Sequence, residues 1–332
     1  MGKSADIIFM ATSRSGLGHI RRTASVALAV KARRPDLSIA LFTNAPIGGL
    51  PEGDLAAFDE TAIAERAQMT GLAGARQPQM IVADTMAPEG IARSPVTRVL
   101  ILRQMPQDRL ARLQLPNGAP WDLALVPNPR THWMPELGNA FAKHIFATGW
   151  IYRKAQRRVL SPRKTPLLLI ATGGGGTAET ASGVASQASE IVTLCRTLCP
   201  RPFEAVQALG PRAPEEALVA GVDRVVDPGG DLNQYLADAD AVISTAGYNS
   251  VLELAVSTTP ALLIPIARTL DDQAARTVEW GPRLGAAFVE NGHEAAASFL
   301  ARALARQSRR PEVDIGPSGA DAAALRLLEL LQ

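Results

Sequence analysis

Short apolar runs without polar alternation recur along the whole chain, each followed by a loop of small or polar residues and then by helical periodicity. They fall at 7–12, 37–43, 80–84, 98–102 and 123–126 in the first half. In the second half they fall at 167–172, 204–209, 224–226, 241–245, 261–266 and 286–289. A strand with one wet face alternates apolar and polar positions, whereas a strand covered on both faces does not. The series therefore predicts parallel sheets with helices on both sides. Those helices are expected at 19–33, 178–199, 231–238, 249–257, 271–280 and 293–307, with a final amphipathic helix at 320–331. With 332 residues, the chain exceeds what one core ordinarily holds. The expected class is α/β, with two doubly wound domains.

A polar, basic segment at 152–164 separates the halves and reads as a linker or a solvated helix face. The expected organisation is 1–150, a linker at 151–165, 166–317, and a helix at 318–332 that packs back on the first domain. Residues 51–79 carry no resolved pattern.

A formal net charge of +2 gives no whole-protein basis for nucleic-acid binding. Cys195 and Cys199 lie four apart with no His or further Cys beside them, so they read as small core residues in a reducing compartment rather than a zinc site. No apolar run approaches the ~20 residues of a membrane span. The first strand begins at once, unlike a signal peptide. A cytoplasmic protein is expected. Trp133-Met134, Met105-Pro106 and the basic 152–164 run leave peripheral contact with the inner face of the cell membrane open.

Three loops follow strands and carry candidate chemistry. Ser15-Gly16-Leu17-Gly18-His19 lets bare amides approach a ligand at a helix N-terminus. It is not the dinucleotide fingerprint, because Arg21 stands where the third glycine would fall and no acid closes the second strand. His19 has the right chemistry for a general base, or it is a polar residue at a helix start. Gly173, Gly174, Gly175, Gly176 and Thr177 form an anion cradle without the lysine of a P-loop.

The third run is Ser244-Thr245-Ala246-Gly247-Tyr248-Asn249-Ser250-Val251-Leu252-Glu253, followed by a strand at 260–267 and by Asp271-Asp272-Gln273. Its amides, carboxylate and side-chain amide fall at one edge of a parallel sheet, where a diphosphate, a ribose and a sugar can bind together. Glu253 near a helix start reads either as a grip on two ribose hydroxyls or as a complement to the helix dipole. Asp271 reads as an N-cap, with Asp272 or Gln273 free to hold sugar hydroxyls. Asp238-Ala-Asp240 reads as a surface turn, and no metal site is expected.

At these residues the chain resembles the GT-B glycosyltransferases of the family 28-like branch. That branch contains the lipid-linked N-acetylglucosaminyltransferase of peptidoglycan synthesis and a group of bacterial predicted glycosyltransferases. Gly16-Leu-Gly18-His19-Ile-Arg-Arg22, Val82-Ala-Asp84…Pro88-Glu-Gly90, Thr148-Gly149-Trp-Ile and the run from Ser244 to Gln273 carry the resemblance. It implies two Rossmann-like doubly wound domains facing a cleft, the first holding the acceptor and the second a nucleotide-diphosphate sugar, usually UDP-linked. By position it implies that Glu253 binds ribose, and that Gln273 with Asp272 binds the donor sugar. Ala246, Gly247 and Tyr248 would offer diphosphate amides, with Gly174 and Gly175 nearby. The backbone of Val225 and Val226 would read the base, Gly18 would lie beside the phosphates, and His19 would be the base. The glycine-poorer first loop, Asn249-Ser250 and Thr258-Thr259 depart from the peptidoglycan enzyme.

The expected activity is inverting, metal-independent transfer of a hexose or N-acetylhexosamine to an acceptor hydroxyl, with a lipid-linked or cell-envelope glycan as one candidate acceptor. No cofactor is expected, the nucleotide sugar being a substrate. Two readings stand beside it. One is a UDP-sugar 2-epimerase, for which Asp84 and Glu89 could serve as acids. The other is a non-catalytic nucleotide-sugar-binding subunit.

Overall fold

The structure is a computed structural model that describes residues 4–13, 17–45, 47–50, 52–153, 164–172, 178–210, 213–229, 231–268 and 271–331. The chain divides into two compact units, Met1–Tyr152 with Gly316–Gln332, and Arg153–Ile315.

The first unit runs β1 (Ile7–Ala11), α1 (Gly18–Arg33), β2 (Ile39–Thr43), α2 (Glu52–Leu55), β3 (Glu60–Ile63), α3 (Arg66–Gly74), β4 (Met80–Asp84), β5 (Thr97–Ile101), β6 (Leu123–Val126) and β7 (Ile145–Ala147). The strands form one sheet in the order β3-β2-β1-β4-β5-β6-β7. Every pairing is parallel. All residues of β1, β2 and β4 are buried, which explains their unbroken apolar character. The order reverses direction at β1, between β2 and β4. Ligands of open α/β sheets bind outside the carboxyl ends of the strands at such a reversal.

The second unit runs β8 (Leu167–Ala171), α4 (Ala178–Leu198), β9 (Glu204–Ala208), β10 (Arg224–Val226), α5 (Leu232–Asp238), β11 (Ala241–Thr245), α6 (Tyr248–Ala255), β12 (Ala261–Ile264), β13 (Ala267–Arg268), β14 (Asp271–Asp272), α7 (Gln273–Leu284), β15 (Ala287–Phe288) and α8 (His293–Arg306). Its main sheet is ordered β10-β9-β8-β11-β12-β15, with β13 and β14 as a separate antiparallel pair. Here the reversal lies between β8 and β11. The chain then returns to the first unit as α9 (Ala320–Glu329). This helix puts Ala320, Ala323, Ala324 and Leu327 into the same core as Ile20, Ala27 and Val30 of α1. The approach is close: a Cβ on Gly319 would stand 2.5 Å from the carbonyl oxygens of Thr148 and Gly149.

A repeated device starts the strands. An aspartate on one strand's approach accepts an amide at the start of its neighbour: Asp59 from Ile39 and Asp240 from Leu167, the first residues of β2 and β8, and Asp122 from Arg98, the second residue of β5, each at 2.8 Å. Asp240 therefore corrects the surface-turn reading of Asp238-Ala-Asp240. It is buried because it satisfies an amide that would otherwise lack a partner. Cys195 is buried in the core of the second unit, and burial pushes its thiol up to about 12.

Three further expectations are corrected. Strands β3 and β7, the two edges of the first sheet, were not expected. β3 alternates half-buried and exposed residues, and β7 has only three residues. The helix expected at 271–280 begins at Gln273, because Asp271 and Asp272 are spent on the β13–β14 pair. Met105, left open as a contact for lipid, is buried in the core of the first unit, whereas Trp133 only packs against that core's rim.

Candidate functional site

In the first unit, α1 starts directly after the loop that leaves β1, and β4 ends in Asp84 beside it. His19 is the second residue of α1, and its side chain remains 29% exposed while that of Asp84 is 1% exposed. His19 Nδ1 lies 2.8 Å from Asp84 Oδ1. A carboxylate can only accept, so Nδ1 carries the ring proton and Nε2 is the basic nitrogen. Arg22 Nη2 also lies 3.1 Å from Nδ1. Guanidinium has no lone pair to offer and Nδ1–H has none to spare, so this proximity reflects two donors converging on one carboxylate.

Asp84 is held from several directions. Arg22 donates through Nε to Oδ2 at 2.9 Å and through Nη2 to Oδ1 at 2.5 Å. Thr85 Oγ1 donates to Oδ1 at 2.9 Å. Burial pushes the Asp84 carboxyl up, but Arg22 and His19 outweigh it and hold the group well below the usual carboxylate range. Burial lowers the His19 pKa, with Arg22 and Arg103 acting in the same direction and Asp84 opposing. The ring is thus kept as a neutral imidazole, the form that accepts a proton.

In the second unit, β11 leads through Thr245, Ala246 and Gly247 into α6. Gly247 is the N-cap and brings no side chain of its own to cap the helix. A Cβ there would stand 3.3 Å from Ser250 Oγ, which favours glycine. The first turn therefore presents main-chain amides, the natural seat of an anion. Neighbouring β8 ends one residue before Thr172, and Ala171 pairs with Ser244. Thr172 Oγ1 is buried without a hydrogen-bond partner. Such a group costs about 1–3 kcal/mol to bury unless something satisfies it.

The expected residues fall as follows. His19 and Gly18 open α1. Thr245, Ala246, Gly247, Tyr248 and Asn249 form the end of β11 and the start of α6, which begins one residue earlier than expected. Glu253 is buried and is the sixth of eight residues in α6. A carboxylate that late in a helix is disfavoured by the dipole, so the dipole account of Glu253 is corrected. Val225 and Val226 lie on β10, the edge strand. The Val226 carbonyl accepts from Leu209 N at 3.0 Å, which by alternation turns the amide and carbonyl of Val225 to the open edge. Gly16, Gly173, Gly174, Gly175, Gly176 and Thr177 lie outside the described residues.

The Asp271–Gln273 turn differs most from expectation. Asp272, not Asp271, caps α7, accepting from Ala275 N at 2.9 Å. Gln273 is 2% exposed and points inward. Its Oε1 accepts from Ile266 N at 3.1 Å, and its Nε2 donates to Asp271 at 3.3 Å. Asp271 pairs with Arg276 Nη2 at 2.7 Å, and Arg276 Nη1 donates to the Ala246 carbonyl at 2.9 Å. Gln273 thus braces the segment that follows β12, and Asp271, through Arg276, the loop that ends β11. Arg276, Arg22 and Thr85 were missed as site residues. Arg22 had one signal: it stands three residues after His19, on the same helix face.

Residues 203–291 match the family model described as the glycosyltransferase family 28 C-terminal domain. Over 164 residues the chain is 30% identical to the UDP-N-acetylglucosamine--N-acetylmuramyl-(pentapeptide) pyrophosphoryl-undecaprenol N-acetylglucosamine transferase of Pseudomonas fluorescens. That match covers 49% of the chain and 45% of the relative, so the chain spans about half the length of the curated relatives it matches. The fold is similar to the glycotransferase of kitacinnamycin, with a TM-score of 0.62, 14% identity and all of both chains covered. It is also similar to a Listeria monocytogenes protein assigned as a UDP-N-acetylglucosamine 2-epimerase, with a TM-score of 0.58, 14% identity, and 99% of this chain and 95% of that one covered. These findings bear out the family 28-like resemblance and the GT-B class with its two parallel-stranded α/β units.

Proposed function

We propose that the chain is an inverting glycosyltransferase that moves a hexose or N-acetylhexosamine from a nucleoside-diphosphate sugar, UDP-linked by similarity to the P. fluorescens relative, to an acceptor hydroxyl. The observation that carries the reading is the glycine N-cap of α6 close to the buried Thr172 hydroxyl, which has no hydrogen-bond partner among the described residues. Both are features that an anionic group would satisfy. The donor is assigned to the second unit. The α6 amides take the diphosphate, Glu253 the ribose, and the open edge at Val225 the base. Asp272 is exposed at the start of α7, where a sugar hydroxyl can reach it.

The first unit supplies the base. His19 Nε2 takes the proton of the acceptor hydroxyl, and the oxygen attacks the anomeric carbon as its bond to the diphosphate breaks. The nucleoside diphosphate leaves with the electron pair, and configuration inverts. Charge on the leaving group is met by amides rather than by a cation. A lipid-linked acceptor and attachment to the cytoplasmic membrane face belong to the same reading. Among the described residues no helix is long and apolar enough to cross a membrane.

The epimerase reading gives Asp84 a proton-transfer role. Its carboxylate is committed to Arg22, His19 and Thr85 and ionises far below neutrality, while Glu89 is exposed. The geometry favours transfer.

The test is release of nucleoside diphosphate from UDP-sugars, measured with acceptor panels, with and without EDTA. Turnover should persist in EDTA and fall at least 100-fold in His19→Ala. Equal turnover in wild type, His19→Ala and Glu253→Ala would refute the site. A sugar altered without any acceptor would establish the epimerase, and tight binding without turnover would establish a binding subunit.

A further inference from the structure

We propose that Arg22 is a positioning residue for the His19 base: it takes both oxygens of Asp84, offsets their charge, and leaves the imidazole held by a hydrogen bond rather than by a full ion pair. The inference rests on the reading of His19 as the base. Arg22 and His19 lie on one face of α1, turned to the end of β4. The guanidinium grips the carboxylate with two donors, the geometry in which Arg and carboxylate match best. Their side chains are 2% and 1% exposed. Thr85 adds a further donor to Oδ1 while its backbone sits at φ 52. A β-branched residue adopts that left-handed conformation only where its surroundings impose it. Two separate constraints therefore act on one carboxylate.

A lone His–carboxylate pair favours imidazolium, because the negative charge stabilises the added proton. A base must start neutral. With Arg22 in place the carboxylate still orients Nδ1–H while the guanidinium opposes part of its pull on the ring, so that burial, the largest influence, keeps the imidazole neutral. The remaining charged groups around α1 do not replace it. Arg103, after β5, adds positive charge at His19. Asp54 of α2 faces Arg21 at 3.7 Å, Asp59 faces Lys31 at 2.8 Å, and Asp321 of α9 faces Arg33 at 2.6 Å. Asp84 is the one carboxylate to which the ring responds among the described residues.

The test is the NMR titration of the four histidine rings in the full chain without substrate. In the wild type His19 should take up its proton below the ordinary 6.5. In Arg22→Gln its midpoint should rise by about one pH unit, and Arg22→Lys should restore most of the difference. An unmoved His19 midpoint in Arg22→Gln overturns the proposal. Should that variant not fold, the ring nitrogens of the unaltered chain decide: at neutral pH a proton on Nδ1 and a bare Nε2 support it, and imidazolium or the opposite tautomer overturns it. Because no substrate is present, absence of transfer activity would defeat the functional reading and leave this result standing.

Discussion

Asp271 and Arg276 form a buried ion pair at 2.7 Å, and the second arm of the same guanidinium holds the Ala246 carbonyl. The pair joins the turn before α7 to the loop before α6. It therefore links two stretches of the candidate site that are some 30 residues apart in sequence.

Breaking that pair from one side strands a charge. Arg276→Met should destabilise the second unit by about 3 kcal/mol, since a buried carboxylate loses its Arg276 counter-charge while the neutral Gln273 donor remains. The double variant Asp271→Asn/Arg276→Met should lose less than the single one, because no charge is stranded. Urea unfolding of the two proteins checks this. A single variant within about 0.5 kcal/mol of wild type would show that Asp271 is satisfied without Arg276.

Thr172→Val should separate stability from binding. The hydroxyl it removes is buried and has no partner, so an isosteric apolar group leaves stability unchanged or raised. Affinity for UDP should fall several-fold if the hydroxyl serves the diphosphate. Calorimetry beside a thermal melt gives both readings, and a melt that drops with affinity intact would contradict the assignment.

Glu253→Gln keeps shape and removes charge. Two ribose hydroxyls on a carboxylate imply charge-assisted hydrogen bonds of about 1.5–3 kcal/mol each. The variant should bind UDP at least 10-fold more weakly and bind inorganic diphosphate as before. Equal losses for both ligands would place Glu253 elsewhere in the site's support.

The fold should weaken in acid in two stages. The His19 pKa is lowered from 6.5 by folding, so below that pH the unfolded chain takes up a proton that the folded ring refuses, and stability falls. The Asp84 pKa is lowered from 3.8, so its contribution is complete above that value and is lost as pH falls beneath it. Urea midpoints recorded from pH 7 to 3 should show both declines, and His19→Gln should remove the first. A His19→Gln profile that matches wild type throughout would contradict the lowered imidazole.

Burial on both faces wrote the parallel strands into the sequence as apolar runs, and most of the fold was legible for that reason. The sheet edges were not. β3 is half wet and so mixes polar residues, and three residues of β7 are too few to make a pattern. Within the site, local features were readable: the glycine before α6, His19 at the head of α1, and Glu253. The pairings that give them meaning were not. Arg22 meets Asp84 across 62 residues, and nothing in either neighbourhood names the other. Gln273 was misread for a related reason. A polar residue after a strand looks available to a ligand until a backbone amide, here that of Ile266, claims it first.

The return of the chain as α9 bears on the order in which the protein can fold. As the chain emerges from the ribosome, the second unit is complete at Ile315, while the first still lacks the apolar residues of its closing helix. The unit begun first is therefore finished last. Until α9 docks, the core that its residues share with α1 stays incomplete, and Gly319, with no side chain to obstruct the approach to Thr148 and Gly149, is the residue that lets it close.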